Sequence, residues 1–500
     1  MERAFVSERH VVAVSWNRIF HVAIFGALLA VPRDVSAQVV TPKTVPVLQD
    51  GQFDMYPSSQ AGMAGATIAI DDSLLDPFVN PAKAARIRGG RIFTSPYFHS
   101  VSGSRGGGRT LPLGGSGSWG AWSAAGLFTF QQLDRAGPTW NLSTSERSAF
   151  NQYLSGILAR RISSATSIGF GAHVASLSAI DGVDLLYGGS DKIDQSGGLA
   201  DFRLGLTKET GIDRNFEVML VHSRTRMRHD VRFRTFAWNP VTRQQVVTER
   251  NERNDDRTNI WGLHSEFSRP VGTEGWRLGW LGTASRLSHP KIPNYVIQNI
   301  PRDPGTTYGF NGGMGISRSG NGTTFAADLI YEPMFADTWA DAAKDTLTVD
   351  GVMLPAGART VENTFNFSNV KMRLGVGHEL NRDPGETMFG FQAGLGLYAI
   401  NYRLQQTNNV LKTFRTQRED WIEWSPTLGL RMRARDLDIM YNFSMTCGPG
   451  GCDSGFGWGR TVVDSQTPGG GGIIAAPSSE LFIDSGALTI HKLTVSLPIR

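Results

Sequence analysis

From about residue 117 the chain repeats a single pattern. Ten or so residues alternate apolar side chains with small or polar ones, a turn follows, and another such run begins. Ile168, Phe170, Ala172 and Val174 are separated by Gly169, Gly171 and His173. The pattern returns at Phe202, Leu204 and Leu206, and at Phe389, Phe391, Ala393, Leu395 and Leu397. It returns again at Leu437, Ile439, Tyr441 and Phe443, and last at Leu493, Val495, Leu497 and Ile499. A period of two sends successive side chains to opposite faces of a strand, so each run has one apolar face.

The connections alternate in length. Short turns fall near 161–165, 209–215, 269–275, 318–322, 380–385 and 434–437. Long polar connections fall near 178–198, 237–257, 289–306, 334–362, 405–420 and 447–485. Such alternation is expected of an antiparallel up-and-down transmembrane β-barrel, with short turns on one side of the membrane and long loops on the other. Counting from residue 117 gives about 14 strands, an even number as such barrels require. A strand at 91–98 with a partner near 109–114 raises the count to about 16. The faces opposite the apolar ones are rich in Gly, Ser and Arg. These make a poor dry core for a soluble sandwich or propeller but can line a wet lumen. Trp119 and Trp122, Trp276 and Trp280, and Trp421 and Trp424 sit near strand ends, as girdles at membrane interfaces do.

The N-terminus reads as an export signal over residues 1–37. Arg3, Arg9 and Arg18 precede the apolar run Val22 to Val31, and Val35, Ser36 and Ala37 supply small residues for cleavage. The run is shorter than the roughly 20 residues of a membrane-spanning helix. Lys and Arg number 49 against 45 Asp and Glu, a near balance that gives no reason to expect nucleic acid. The 27 Phe, 12 Trp and 10 Tyr are too many for a chain disordered throughout.

Between the signal and the first clear strand, residues 58–66 read Ser-Ser-Gln-Ala-Gly-Met-Ala-Gly-Ala; Ile70, Asp71 and Asp72 follow, then Asn80, Pro81 and Ala82. This segment resembles the N-terminal signature of the FadL-type outer-membrane transporters of long-chain fatty acids and other hydrophobic compounds. It has the same order: a Gly-Met-Gly-like segment, an Asp-Asp pair and an Asn-Pro-Ala triplet. The PorV-like barrels of the type IX secretion system look similar over the same residues. The resemblance implies a small hatch folded inside the barrel, here residues 38–90, with the barrel over 91–500. It also implies passive uptake of hydrophobic or amphipathic small molecules, with a ligand able to leave sideways through a strand kink. Gly62 and Gly65 allow close backbone approach. Asp71 and Asp72 can accept hydrogen bonds from backbone amides, and Pro81 restricts Asn80 to extended or turn geometry. One departure is that Lys83, Ala84 and Ala85 follow the triplet, where the family has Gly and Leu.

No enzyme motif is present, and no cofactor or metal is expected. Residues 394–399 match a dinucleotide fingerprint by letter but lie within an alternating strand. A phospholipase barrel needs a Ser–His pair to which no spacing points. Asp181, Asp184, Asp191 and Asp194 concentrate acid in one segment, read as a solvated external loop or a calcium site. Cys447 and Cys452 flank Gly-Pro-Gly-Gly and are read as a disulfide closing a small loop.

Arginine rows are the remaining feature. Lys371 and Arg373 alternate with Met372 and Leu374, and Arg431, Arg433 and Arg435 stand opposite Leu430 and Met432. A charge on the lipid face at mid-membrane costs roughly 2–4 kcal/mol. These five are therefore candidate lumen groups that attract a substrate carboxylate. Arg224, Arg226, Arg228, Arg232 and Arg234 share one parity on a strand long enough to leave the membrane. That row either faces the lumen, lies at the rim, or projects outward to lipopolysaccharide phosphates. The expected setting is a monomer in the bacterial outer membrane. Its expected partners are membrane lipid and lipopolysaccharide, the barrel assembly machinery and a hydrophobic ligand. The alternative is a secretion-associated barrel that holds protein clients.

Overall fold

The two-residue period becomes the wall of a barrel. The computed structural model describes residues 52–102, 106–135, 148–180, 190–210, 214–239, 241–272, 275–289, 305–342, 344–380, 387–448 and 487–499. They form a closed antiparallel barrel of 16 strands, each paired with its neighbours in the chain. The first strand, β1, has two segments, Gly90–Thr94 and Tyr97–Val101. Then come β2 (Gly106–Trp119), β3 (Trp122–Arg135), β4 (Ser148–Arg161), β5 (Thr166–Leu177) and β6 (Ser190–Glu209). The longest hairpin is β7 (Asn215–Asn239) with β8 (Gln244–Val271). β9 (Trp276–His289), β10 (Gly305–Gly320), β11 (Thr323–Asp341) and β12 (Arg359–Leu380) follow. The ring ends with β13 (Met388–Asn408), β14 (Thr413–Ala434), β15 (Leu437–Cys447) and β16 (Ala487–Ile499). Closure is made by β1 against β16, with Gly90 opposite Ile499 and Tyr97 opposite Lys492.

The count of about 14 from residue 117 missed the first pair of strands; the larger count is correct. β1 is broken at Ser95 and Pro96, although its register against both neighbours continues across the break. Pro96 has no N–H for the ladder. Opposite Ser95 stands Pro112 of β2, which also lacks a donor; its carbonyl accepts from Ser95 N at 3.3 Å and Thr94 Oγ1 at 2.7 Å. β2 itself is masked by glycine, with Gly106, Gly107, Gly108, Gly114, Gly115 and Gly117 diluting its alternation.

Several polar stretches read as loops are strand. β7 and β8 run to Asn239 and from Gln244, so most of the 237–257 connection is ladder. Cross-strand ion pairs sustain it, at Arg228–Asp255 (3.0 Å), Asp230–Arg253 (2.6 Å) and Arg234–Glu249 (2.8 Å). Opposite charges directly across a rung stabilise a pair of strands without apolar cover. β13 and β14 likewise extend to Asn408 and from Thr413.

The faces sort as the alternation predicts. On β4, Phe150, Leu154 and Leu158 point out while Asn151, Tyr153 and Ser155 point in. The outward apolar row recurs around the ring, with Phe170 50%, Leu204 49% and Leu428 57% exposed. Water contact at that many large side chains is costly, at roughly 1.5–3 kcal/mol for each one left uncovered. A lipid bilayer removes the cost, and a closed barrel leaves no unpaired strand edge within it. Among the described residues no helix is long and apolar enough to cross a membrane. The strands make the crossing.

Candidate functional site

Residues 52–88 enter the lumen as short turns rather than regular structure: 3-10 turns at Ala61–Met63 and Pro81–Arg86, and one α turn at Asp76–Val79. Asp72 organises them. Its carboxylate is wholly buried and accepts from Ser58 Oγ (2.7 Å), Ser59 N (3.0 Å) and Ser59 Oγ (2.8 Å). It also accepts from the amides of Gln60, Leu74 and Leu75 at 3.1–3.3 Å. Six donors around one carboxylate explain why an acid is needed here. Asp71 is exposed and instead meets Arg86 (3.1 Å). Asn80 Oδ1 caps the last turn by accepting from Ala82 N (3.1 Å), with Pro81 at the first position of that turn. Gly65 has φ +67, a left-handed conformation that glycine adopts without penalty.

The inward glycines of the wall are where this hatch docks. A Cβ at Gly169 would strike Pro81, one at Gly205 would strike Asn80, one at Gly279 Ile68, and one at Gly375 Met63. Gly62 lies in turn against Gln392 and Gly429. Part of the Gly-rich inner face, read from sequence as able to line a wet lumen, is a seat for the hatch. Polar bonds fix the position. Arg373 Nη1 donates to Gly65 O (3.0 Å), and Thr67 N donates to Asp328 (2.8 Å). Gln392 Nε2 donates to Ser59 O (2.9 Å), and Lys492 Nζ donates to the carbonyls of Asp54 (2.9 Å) and Tyr56 (2.6 Å). Across the barrel, Lys83 of the hatch meets Glu217 of β7 at 2.9 Å and Asp76 at 3.5 Å, while Asn80 Nδ2 donates to Glu217 (2.8 Å). Burial pushes the Asp76 carboxyl up to about 7, outweighing the pull of Lys83.

Hatch and wall line a half-open cavity of about 680 Å³. Phe53, Met55, Tyr56 and Leu75 of the hatch line it, facing Ser155, His173, Asp201, Arg203, Lys371, Arg373, Tyr398 and Thr427 of the wall. On the loop side, Phe365, Phe367, Tyr402, Trp421, Leu404 and Ile400 form an apolar cluster on the inner wall of β12, β13 and β14. A second apolar cluster runs from Phe93 and Phe78 past Tyr153 to Met227 and Val231. The cavity sets the apolar side chains of the hatch against a mostly polar wall that carries both signs of charge, with Asp201 and Glu423 beside Arg203, Lys371 and Arg373.

Of the five basic residues singled out from sequence, two line this cavity. Lys371 stands 3.5 Å from Glu332 and over the ring of Tyr398, and Arg373 is bonded to the hatch. The others lie at the short-turn end. Arg431 and Arg433 both bind Asp438, at 2.6 and 3.1 Å, and Arg435 is an exposed turn residue with φ +52. Cys447 ends β15 and is buried, and Cys452 lies outside the described residues, as do Asp181 and Asp184. Asp194 pairs with Lys192 (2.7 Å). Among the described residues there is no group of three metal-ligating side chains.

Sequence spacing missed a Ser–His–Asp row. Ser155, His173 and Asp201 share one rung of β4, β5 and β6 and all face the cavity. They are not wired as a nucleophilic triad, which needs base against nucleophile and acid against base. The Tyr56 hydroxyl sits between Ser155 Oγ (3.2 Å) and His173 Nδ1 (3.0 Å). Asp201 binds Arg203 (2.7 Å), whose Nη1 donates to Phe78 O (2.9 Å). The row holds the hatch. Glu217, Asp328 and Lys492 were also missed, their only signal being inward parity.

No protein family matches the chain, and no curated protein matches it. Among solved structures, a Pseudomonas aeruginosa FadL homologue has 11% identity and a TM-score of 0.44, over 89% of this chain and 99% of that chain. The Pseudomonas putida toluene transporter TodX has 10% identity and a TM-score of 0.38, over 94% and 100%. The CymD monoaromatic hydrocarbon channel has 12% identity and a TM-score of 0.37, over 90% and 99%.

Proposed function

We propose that the protein is an outer-membrane channel for passive uptake of hydrophobic or amphipathic small molecules, of the long-chain fatty acid kind, and that it is not an enzyme. The cavity between hatch and wall carries this reading. The apolar side chains of the hatch suit a hydrocarbon tail, and Lys371 and Arg203, each beside an acid, present N–H donors to a carboxylate head. The aromatic cluster around Phe365 and Trp421 gives an apolar approach from the loop side. The hatch, seated on the wall from Asp54 to Arg86, has to shift or loosen before a ligand leaves the cavity toward the short turns. A seam at Ser95 and Pro96 offers a sideways route, because Phe93 beside it packs edge-on against Phe78 of the hatch, 6.1 Å between centroids.

The test is a locked hatch. A disulfide between cysteines replacing Pro81 of the hatch and Gly171 of the wall, whose Cβ atoms would stand 3.5 Å apart, ties hatch to wall. Cells relying on the channel are expected to lose fatty-acid or hydrocarbon uptake when it is oxidised and regain it on reduction. Uptake that ignores the lock, with no lipid extracted from the purified protein, would sink the reading and favour a barrel that holds protein clients.

A further inference from the structure

The outward face of β7 changes character along its length. Phe216, Val218 and Leu220 belong to the apolar belt, and Trp261 and Leu263 of β8 face the same way. At the next rung His222 stacks on Trp261, centroids 4.2 Å apart. Beyond it come Arg224, then Arg226 directly opposite Arg257. A tilted strand climbs roughly 2.6 Å of bilayer per residue. The arginines therefore stand about 20–26 Å above Phe216, at the upper edge of an apolar belt about 25 Å tall. Trp261 just below them marks the interface, where aromatic rings concentrate.

Among the described residues these three cations have no counter-charge. Farther out, Arg228, Asp230 and Arg234 each find an opposite charge across the rung. Arg226 and Arg257 instead face each other, and a like-charge pair directly opposed weakens a ladder. The Nε atoms of Arg224 and Arg257 are enclosed and lack an acceptor among the described residues. An anion that neutralises this outward-facing rung approaches it from the lipid side at headgroup height.

We infer that Arg224, Arg226 and Arg257 bind a phosphate of an outer-leaflet glycolipid, the phosphorylated diglucosamine lipid of lipopolysaccharide. Arginine forks match phosphate oxygens in pairs, and three of them neutralise a doubly charged group. Leu220, Leu263 and Trp261 below the site pack on the acyl chains of the same molecule. This site is on the outer surface and does not depend on the uptake reading.

The full chain is expressed in an outer membrane, purified in mild detergent and examined by native mass spectrometry beside the triple variant R224S/R226S/R257S. The wild type is expected to retain bound diphosphorylated lipid, and the triple variant to bind added lipid A about tenfold or more weakly. Dephosphorylated lipid A is expected to bind as weakly to the wild type as lipid A does to the triple variant. Inorganic phosphate at about ten millimolar leaves lipid A in place, because the acyl contacts hold it as well. R226K/R257K, which keeps the charge, guards against misfolding of the triple variant and is expected to keep most of the lipid. The inference fails if the triple variant, folded by its heat-resistant mobility, holds as much lipid A as the wild type. It fails equally if removing the phosphates changes nothing, or if free phosphate displaces the lipid.

Discussion

Lys83 and Glu217 meet at 2.9 Å across the boundary between hatch and wall, each about 5% exposed. A buried pair of this kind is weak evidence for net stability, yet breaking it from one side leaves an uncompensated charge. Glu217→Ala is therefore expected to loosen the hatch by about 3–5 kcal/mol. Lys83→Met with Glu217→Leu, which removes both charges, should recover much of that loss. Hydrogen exchange at the amides of residues 80–87 reads the difference, with barrel strands as internal reference.

Gly205→Ala places a methyl group against Asn80, and Gly169→Ala places one against Pro81. Gly169 faces Pro81 backbone, and the Asn80 side chain at Gly205 is held by Ala82 N and Glu217, so the hatch has to shift; overpacking costs about 1–3 kcal/mol. Gly156→Ala and Gly282→Ala meet nothing within 4 Å and serve as controls. Faster proteolysis of the hatch in the first two, with heat-resistant barrel mobility kept in all four, is the expected result.

Asp72→Asn keeps the shape but turns part of an acceptor surrounded by six donors into a donor. Each charge-assisted bond contributes about 1.5–3 kcal/mol, and some are lost or replaced by clashes of like dipoles. Asp71→Asn, at an exposed partner of Arg86, should cost under about 1 kcal/mol. Ligand uptake and hatch exchange measured in both variants separate the neighbours.

The Asp76 carboxyl gives the hatch a pH dependence. Its level rises from 3.8 to about 7 on docking because burial disfavours the charge. The docked state thus holds a proton that the released state gives up between those values. By linkage this contribution to docking is full below pH 3.8 and is lost as pH rises through about 7. A fluorophore on Ser73→Cys, exposed on the hatch, should report a higher urea midpoint for hatch release at pH 5 than at pH 8. Asp76→Asn should flatten the difference; an unchanged slope would assign the effect elsewhere.

The outward half of the structure was legible because lipid imposes one rule on every strand. Phe170, Leu204 and Leu493 need only their own alternation to be placed. The inward half obeys partners far away in the chain. Gly205 is small because Asn80 approaches it, and Asp328 is acidic because Thr67 N points at it; nothing near either residue says so. The hatch was legible at Asp72, whose donors lie within 14 residues. Its anchor Glu217 lies 137 residues from Asn80 and was not. The first pair of strands could be offered only as an alternative count, because Pro96 interrupts one and glycine erases the pattern of the other.

The pairing of β1 with β16 also sets an order of events. The two ends of the ring lie some 400 positions apart, so their joining carries the greatest loop-closure penalty of the described strand pairings. The other neighbouring strands can zip from local hairpins long before it. The segment that leads into β1 is then already lodged on the curved sheet when the last seam shuts. Biogenesis becomes a matter of wrapping a cylinder around its own stopper, and a stopper that seats late leaves Lys492 reaching for carbonyls that are not there.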